Sequence, residues 1–427
     1  MADDESAVEP VPGQLYGTQT QLSLQHFPPR GRRVGDIPAF VRSYAMVKKA
    51  SAITNAKLGV VDQQRAQAII NACDEIVAGS HIDQFATALV LGGGGTTTNM
   101  NFNEVIAARA AQLAGTAVHP NDHVNASQST NDTFPTAMAL TILDLVEQPL
   151  SSLEGLAQSL DNKASEYADT RYLGRTCLQD AVSLTAGQTL QAQAHAVRRG
   201  AKQLRDAVDD LAAVPLGATV LGTSIGAPDG YTALCVAELA KLVPHEVTSA
   251  PDLFDAMAHL DPYANVADAA SRAAITIAKI AADLRLRSSG PRGGLIEVSI
   301  PRLQAGSSIM PAKVNPVVPE YAMQLSYRIR GAAHTVSCAV AAGELELNVM
   351  EPVIVDSLLN IFDDLQQAAH SMATLCISGL DWDGARRQEN LDHAVDKWVE
   401  LAGASGYDEA SRHAMTTREP AAVREVG

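Results

Sequence analysis

The chain has 427 residues, 46% of them hydrophobic and 19% charged, a balance that excludes intrinsic disorder and leaves room for two or three domains around a large core. A formal charge of −16 argues against a nucleic-acid partner, which needs a basic face, and means that a site for an acidic small molecule must gather cations locally. Aromatic residues are only 4%, so the core is built mainly from Ala, Leu, Val and Ile, which suits closely packed helices better than a β-sandwich.

The chain opens MADDESAVEP, which reads as an acidic, mobile tail and not as a basic-then-apolar leader. Apolar runs such as AAITIAKIAADL are broken by charge well short of a membrane span, so no membrane partner is expected. Cys73, Cys177, Cys235, Cys338 and Cys376 lie far apart with no CxxC or His/Cys cluster. Neither a disulfide framework nor a zinc site is expected, and the reducing cytoplasm is the expected compartment.

From Val11 to about Phe40 the sequence is rich in Pro and Gly and reads as irregular, and helical patterning begins near Val41. VVDQQRAQAIINACDEIVAG spaces its apolar residues at three and four, predicting an amphipathic helix that stops at Gly79. LGGGGTTTNMNFNEVIAARA then runs four glycines and three threonines into a helix, a flexible N-terminus suited to an anion. A phosphate-binding loop is disfavoured, because no Lys-Ser/Thr follows the glycines and no clear strand precedes them. A Gly-rich turn with Thr caps is the plainer alternative.

HPNDHVNASQSTNDTFPTAM offers Asn121 and Asp122 as caps of a turn after Pro120, then places Ser129, Thr130 and Asn131 at a helix start. His119 and His123 lack an acidic partner pattern and are expected to be structural or peripheral. GRTCLQDAVSLTAGQ brings Arg175, Thr176 and Gln179, with a thiol at Cys177. Long helical patterns follow in LQAQAHAVRRGAKQLRDAVDDLAAV and ADAASRAAITIAKIAADLRLRSSG, and less regularly in QLSYRIRGAAHTVSCAVAAGELELNVMEPVI. Arg292 is a candidate carboxylate-binding or fold-supporting cation. Glu344 or Glu346 could pass for an acid/base group, but a structural role is expected for both.

GSSIMPAKVNPVVPE, Gly306–Glu320, carries the most information. Gly306, Ser307 and Ser308 let the backbone bend, while Pro311, Pro316 and Pro319 are expected to exclude a regular helix or central strand across the segment. Hydroxyls beside a cation at Lys313 and an amide at Asn315 suit a substrate that develops negative charge during reaction.

These blocks together resemble the aspartase/fumarase superfamily, from roughly Leu15 to Gly379, with a nearly complete match over Gly306–Glu320. The resemblance implies an all-α dominated, three-domain fold with a long central helical bundle, forming a twenty-helix core in a homotetramer whose sites each draw on three chains. The implied domains are an N-terminal helical domain over 1–130, the central long-helix bundle over 131–375, and a shortened C-terminal domain over 376–427. It further implies anti-elimination from a succinate-type substrate, a small dicarboxylate or amino acid, with Ser307 as catalytic base. Thr96, Ser129, Thr130, Asn131, Thr176, Cys177, Lys313 and Asn315 are the implied substrate-binding residues. No metal and no cofactor are expected. VNPVVPE, SQSTND and LELNVMEPVI are closer to aspartate ammonia-lyases than to fumarate hydratases, so C–N cleavage of aspartate or an aspartate-derived compound is the expected reaction. Cys177 stands where relatives usually carry His or Gln, which leaves open a specialised lyase on an N-modified succinate, for example nitrosuccinate releasing nitrite. Fumarate hydratase is a further alternative. A non-catalytic relative is disfavoured because Ser307, Lys313, Asn315 and Ser129–Asn131 match the family's working positions.

Overall fold

The computed structural model describes residues 13–382 and 384–416; the acidic opening tail and the polar tail ending at Gly427 lie outside the described residues. In chain order the elements are α1 (Thr18–His26), α2 (Pro38–Lys57), α3 (Gln63–Val77), α4 (Thr96–Ala114), α5 (Thr130–Leu145) and α6 (Glu147–Glu166). A hairpin of β1 (Arg171–Thr176) and β2 (Gln179–Thr185) precedes α7 (Ala186–Asp209). Then come β3 (Ala213–Val214), α8 (Tyr231–Ala240), β4 (Thr248–Ser249), α9 (Leu253–Ala258), α10 (Asp261–Arg287) and β5 (Val298–Ser299). The chain continues through α11 (Val317–Val340), α12 (Glu351–Ser371), β6 (Asp381–Trp382), α13 (Gly384–Leu391), α14 (Asp396–Ser405) and α15 (Tyr407–Thr416). The helix-dominated architecture expected from the sequence is the one the chain forms. Among the described residues no helix is long and apolar enough to cross a membrane.

Two compact units divide the chain, and α6, α7, α10, α11 and α12 each contribute residues to both. At 27 residues, α10 extends over about 40 Å. Its buried positions Ala270, Ala273, Ala274, Ile277, Ala281 and Leu284 recur at three and four, the stripe read from the sequence.

The first unit comprises residues up to Ser151, Gly200–Ala274 and Leu325–Gln366. Helix α3 starts where the Asp62 side chain accepts the Arg65 N–H, and Gly79 follows its end at φ +94°. Its buried face is Ala66, Ile69, Ala72, Cys73 and Ile76. The scarce aromatics cluster here: Tyr44 stacks on Phe102 at 4.3 Å and Phe102 on Phe85 at 4.2 Å, with Phe40 against Phe134 at 5.4 Å. Small residues bring helices close, and a Cβ on Gly200 of α7 would lie 3.2 Å from the Ala273 side chain of α10.

The segment read as irregular up to Phe40 contains α1 and the start of α2. The free N–H groups at the start of α1 are satisfied from far along the chain: the buried Glu104 carboxylate accepts Gly17 N and Gln19 N, each at 2.9 Å, and Thr20 Oγ1 at 2.6 Å. The stretch Gln324–Ile354 is two helices, because Gly343–Met350 leaves the helical path. There buried Asn348 donates to the carbonyls of Ala339 and Val340, ending α11, and its Oδ1 accepts Met350 N before α12. Pro319 is not a breaker either, since it sits in the first turn of α11, where a missing N–H costs nothing.

The second unit comprises Ser152–Arg199, Ile275–Gln324 and the chain from Gln367 onward. The Gly174–Gln188 block forms most of the β1–β2 hairpin, and β5 pairs antiparallel with β6. Fully buried Glu297 ties three segments together. It accepts Arg175 Nη1 at 2.7 Å, Arg287 Nη1 at 2.9 Å and Asn390 Nδ2 at 2.9 Å. The Arg287 guanidinium also lies 4.5 Å from the Tyr172 ring and 5.4 Å from Trp382.

Candidate functional site

In the first unit, Gly93, Gly94 and Gly95 all take positive φ, and Thr96 begins α4. At Gly95 (φ +83°) a Cβ would come within 2.2 Å of the Phe134 ring, so only glycine admits this close approach of loop to α5. The Thr96 hydroxyl donates to Gly93 O at 2.8 Å. Ser129 caps α5 in a reciprocal box: its Oγ accepts Asn131 N at 3.2 Å, and Asp132 Oδ1 accepts Ser129 N at 3.0 Å. Asn99 of α4 donates to Thr130 Oγ1 and to Asn125 Oδ1, both at 3.1 Å. Asn131 Nδ2 donates to Val220 O at 3.0 Å. Two helix N-termini, bearing Thr96 and Ser129–Asn131, are thus coupled through one amide, an arrangement that favours a bound carboxylate.

Beneath them lies a polar network that motif reading missed. Lys48 is fully buried on α2 and donates to Asn125 Oδ1 at 2.9 Å and Gln128 Oε1 at 3.0 Å. Burial pushes its ammonium down to about 7, against the opposing pull of Asp132. Burial likewise pushes the Asp132 carboxyl up to about 7, opposed by N–H groups of Ser129, Thr219 and Gly217. The Tyr44 hydroxyl donates to Asn99 Oδ1 at 3.2 Å and lies 3.1 Å from Thr133 Oγ1. The available signal was a lysine at the same helix face as Val41, Tyr44 and Ser51, a cation on a stripe that has to be buried.

Around Pro120 the turn is capped by His119, not by Asn121 or Asp122. His119 Nδ1 accepts Asn121 N at 3.2 Å and Asp122 N at 3.1 Å, and His123 Nδ1 accepts His119 N at 2.7 Å. Both histidines have local structural work, and among the described residues no group of three or more His, Cys, Asp or Glu is placed to hold a metal ion.

In the second unit, Thr176 ends β1 and the two-residue turn is Cys177 (φ +52°) and Leu178 (φ +60°), with Thr176 paired to Gln179. Two left-handed residues match the twist of a tight hairpin, yet neither is Gly, Asn or Asp. Residues 176–180 are all exposed, including the free thiol of Cys177. Arg175 is drawn into the Glu297 pair and does not present a free cation.

Ser307, Lys313 and Asn315 share one closed loop. Gly306 N donates to Lys313 O at 2.9 Å, and Asn315 Nδ2 donates to Gly306 O at 2.8 Å. Within it Ser307 Oγ accepts two backbone donors, Ile309 N at 3.2 Å and Met310 N at 2.9 Å. Arg292, Glu344 and Glu346 are exposed. The acid unrecognised in the sequence is Glu351, at the start of α12, which burial pushes up to about 8.

A sequence profile described as lyase matches residues 9–331 of this helix-dominated chain. The chain belongs to that family, the aspartase/fumarase superfamily whose signature blocks it carries. An aspartate ammonia-lyase of a Bacillus species is 38% identical over 96% of this chain and 89% of its own length. The aspartate ammonia-lyase of Escherichia coli strain K12 is 41% identical over 86% of this chain and 78% of its own. Among solved structures, the fumarate lyase:delta crystallin of Brucella melitensis bound to cobalt superposes with a TM-score of 0.90 at 37% identity, covering 95% of this chain and 90% of that one. The class II fumarase of Schistosoma mansoni gives 0.88 at 32% identity over 95% and 90%.

Proposed function

We propose that the chain is a carbon–nitrogen lyase that converts L-aspartate to fumarate and ammonia by anti-elimination. The observation that carries the reading is the turn at Ser307, where two backbone N–H groups converge on Oγ. Donors fixed in that way stabilise an alkoxide far more than a neutral hydroxyl, typically by about 2.7–4 kcal/mol for each oxyanion donor. Family membership and the two aspartate ammonia-lyases support the choice of bond.

In this reading Ser307, as alkoxide, removes a proton from Cβ and becomes the neutral hydroxyl. The electron pair passes into the adjacent carboxylate as an aci-carboxylate dianion, held by Lys313 and Asn315. Collapse of the dianion forms the Cα–Cβ double bond and expels the protonated α-amino group, –NH3+, with the C–N bonding pair as neutral ammonia. Thr96, Ser129, Thr130, Asn131, Thr176 and Cys177 bind the carboxylates and the amine. The paired N-termini of α4 and α5 suit a carboxylate in a chain whose net charge would otherwise repel it.

A homotetramer with shared sites and a cytoplasmic location belong to the same proposal. Exposed Ile275 and Leu286, eleven residues apart and so on one face of α10, support burial of that face in an assembly. The thiol at Cys177, where the family resemblance implies His or Gln, leaves room for a second reading in which the leaving group is a modified nitrogen such as nitrite. Incubating the purified chain with L-aspartate, with nitrosuccinate and with fumarate, while following fumarate, ammonia, nitrite and malate, separates the cases. Fumarate with equimolar ammonia from aspartate is expected. Silence on aspartate with turnover of nitrosuccinate would replace the first reading by the second, and malate from fumarate alone would replace both.

A further inference from the structure

Among the described residues the β1–β2 hairpin is a two-stranded sheet with its tip exposed, and an isolated pair of strands is marginally stable in water. Both outer edges are nevertheless occupied, in each case by the C-terminal segment. On the β2 side, Val395 N donates to Ala181 O at 3.2 Å. Two residues on, Ser183 N donates to Asp396 Oδ2 at 2.9 Å and Ser183 Oγ to Asp396 Oδ1 at 2.8 Å. Backbone groups two residues apart face the same strand edge, so the start of α14 occupies the two places that a third strand would take. On the β1 side, Arg387 of α13 donates to Arg171 O. Asn390 of α13 joins Arg175 on the buried Glu297 carboxylate. Arg175 directly precedes Thr176 and Cys177 in the chain.

We propose that α13 and α14 form a clasp that holds the β1–β2 hairpin by both edges and so positions Thr176 and Cys177, with Asp396 as its principal positioning residue. The C-terminal helices thereby have a task at the hairpin that carries Thr176 and Cys177. The link from hairpin to substrate rests on the lyase reading above; the clasp itself does not.

The test uses the full chain carrying Asp396→Ala or Asp396→Asn. Amide hydrogen exchange over residues 171–185 should accelerate by about tenfold in Asp396→Ala, the loss expected for charge-assisted hydrogen bonds, and return most of the way in Asp396→Asn, which keeps an acceptor. With L-aspartate as the probe, the Asp396→Ala variant should raise KM roughly fivefold to tenfold and change kcat less than about twofold, because the hairpin contributes binding contacts and not the base. Unchanged exchange in the hairpin overturns the clasp whatever the kinetics. Faster exchange with an unaltered KM overturns the positioning role and removes Thr176 and Cys177 from the substrate. If the unmodified chain leaves aspartate untouched, the lyase reading fails by itself, and the exchange measurement still decides the clasp.

Discussion

Replacing Glu297 by Gln should cost more than any surface substitution, and its size follows from the geometry. The carboxylate is fully buried and accepts two guanidinium donors and one amide at 2.7, 2.9 and 2.9 Å. Gln offers one oxygen, so it can serve Arg175 or Arg287, and its amide nitrogen then points donors at the other cation. Breaking a buried pair by removing one partner costs about 3–5 kcal/mol. The arginine side chains keep 14% and 19% exposure, so partial rehydration places the loss near the lower end, at about 3 kcal/mol. In a unit of this size that is a fall of roughly 6–12 °C in the thermal midpoint. Calorimetric or circular-dichroism melting of the wild type, Glu297→Gln, Arg175→Met and the double variant measures it. The double variant should lose clearly less than the sum, because both substitutions break the same contact. A loss below about 1 kcal/mol, or strict additivity, would refute the argument that this carboxylate organises the second unit.

Three further expectations follow from particular atoms. In Gly306→Ala the new Cβ would meet Lys313 O at 2.4 Å and Asn315 N at 2.9 Å, so the loop must open; kcat/KM for aspartate should drop by about tenfold or more with a near-unchanged melting curve, and a fully active variant would contradict the closed-loop reading. Gly95→Ala combines φ +83° with a 2.2 Å approach to the Phe134 ring and should destabilise by roughly 2 kcal/mol or more in urea unfolding, whereas a loss within about 0.5 kcal/mol would mean the loop is free to move. Glu351 is raised by burial to about 8 from 4.5, so its neutral form is the one the fold prefers. Its contribution is complete below pH 4.5, is lost as pH rises through 8, and is constant above that. Glu351→Gln should therefore stabilise the protein by roughly 3–5 kcal/mol at pH 8 and by little at pH 5, and an equal effect at both pH values would show that the acid is not the titrating group.

Periodicity was enough to read α3, α7 and α10, whose apolar stripes run many turns and end at legible signals such as Gly79. It failed where the decisive partner is distant in sequence. Helix α1 has a weak stripe and takes its cap from Glu104, and Gln324–Ile354 is interrupted by Asn348, an amide with nothing unusual about its neighbours. The hairpin was invisible because its turn residues, Cys177 and Leu178, are not those that normally adopt left-handed backbone. At the candidate site, the motifs single out residues that the structure places on two helix starts and on the Ser307 loop. Its blind spot was the layer beneath, Lys48, Asn99, Asn125 and Asp132, whose importance comes from burial, which no short motif encodes. His119 as a cap was missed for a related reason, since an imidazole nitrogen accepting two N–H groups has no sequence pattern of its own.

The measurement that bears most directly on the whole account is formation of fumarate from L-aspartate by the wild type and by Ser307→Ala, compared at equal concentration with circular dichroism and light scattering recorded for both. Fumarate with stoichiometric ammonia from the wild type is expected, with turnover at least about a thousandfold lower in the variant and the fold and assembly unchanged. A Ser307→Ala protein that still forms fumarate within about tenfold of the wild-type rate would remove the hydroxyl as the base, and the proposed chemistry with it.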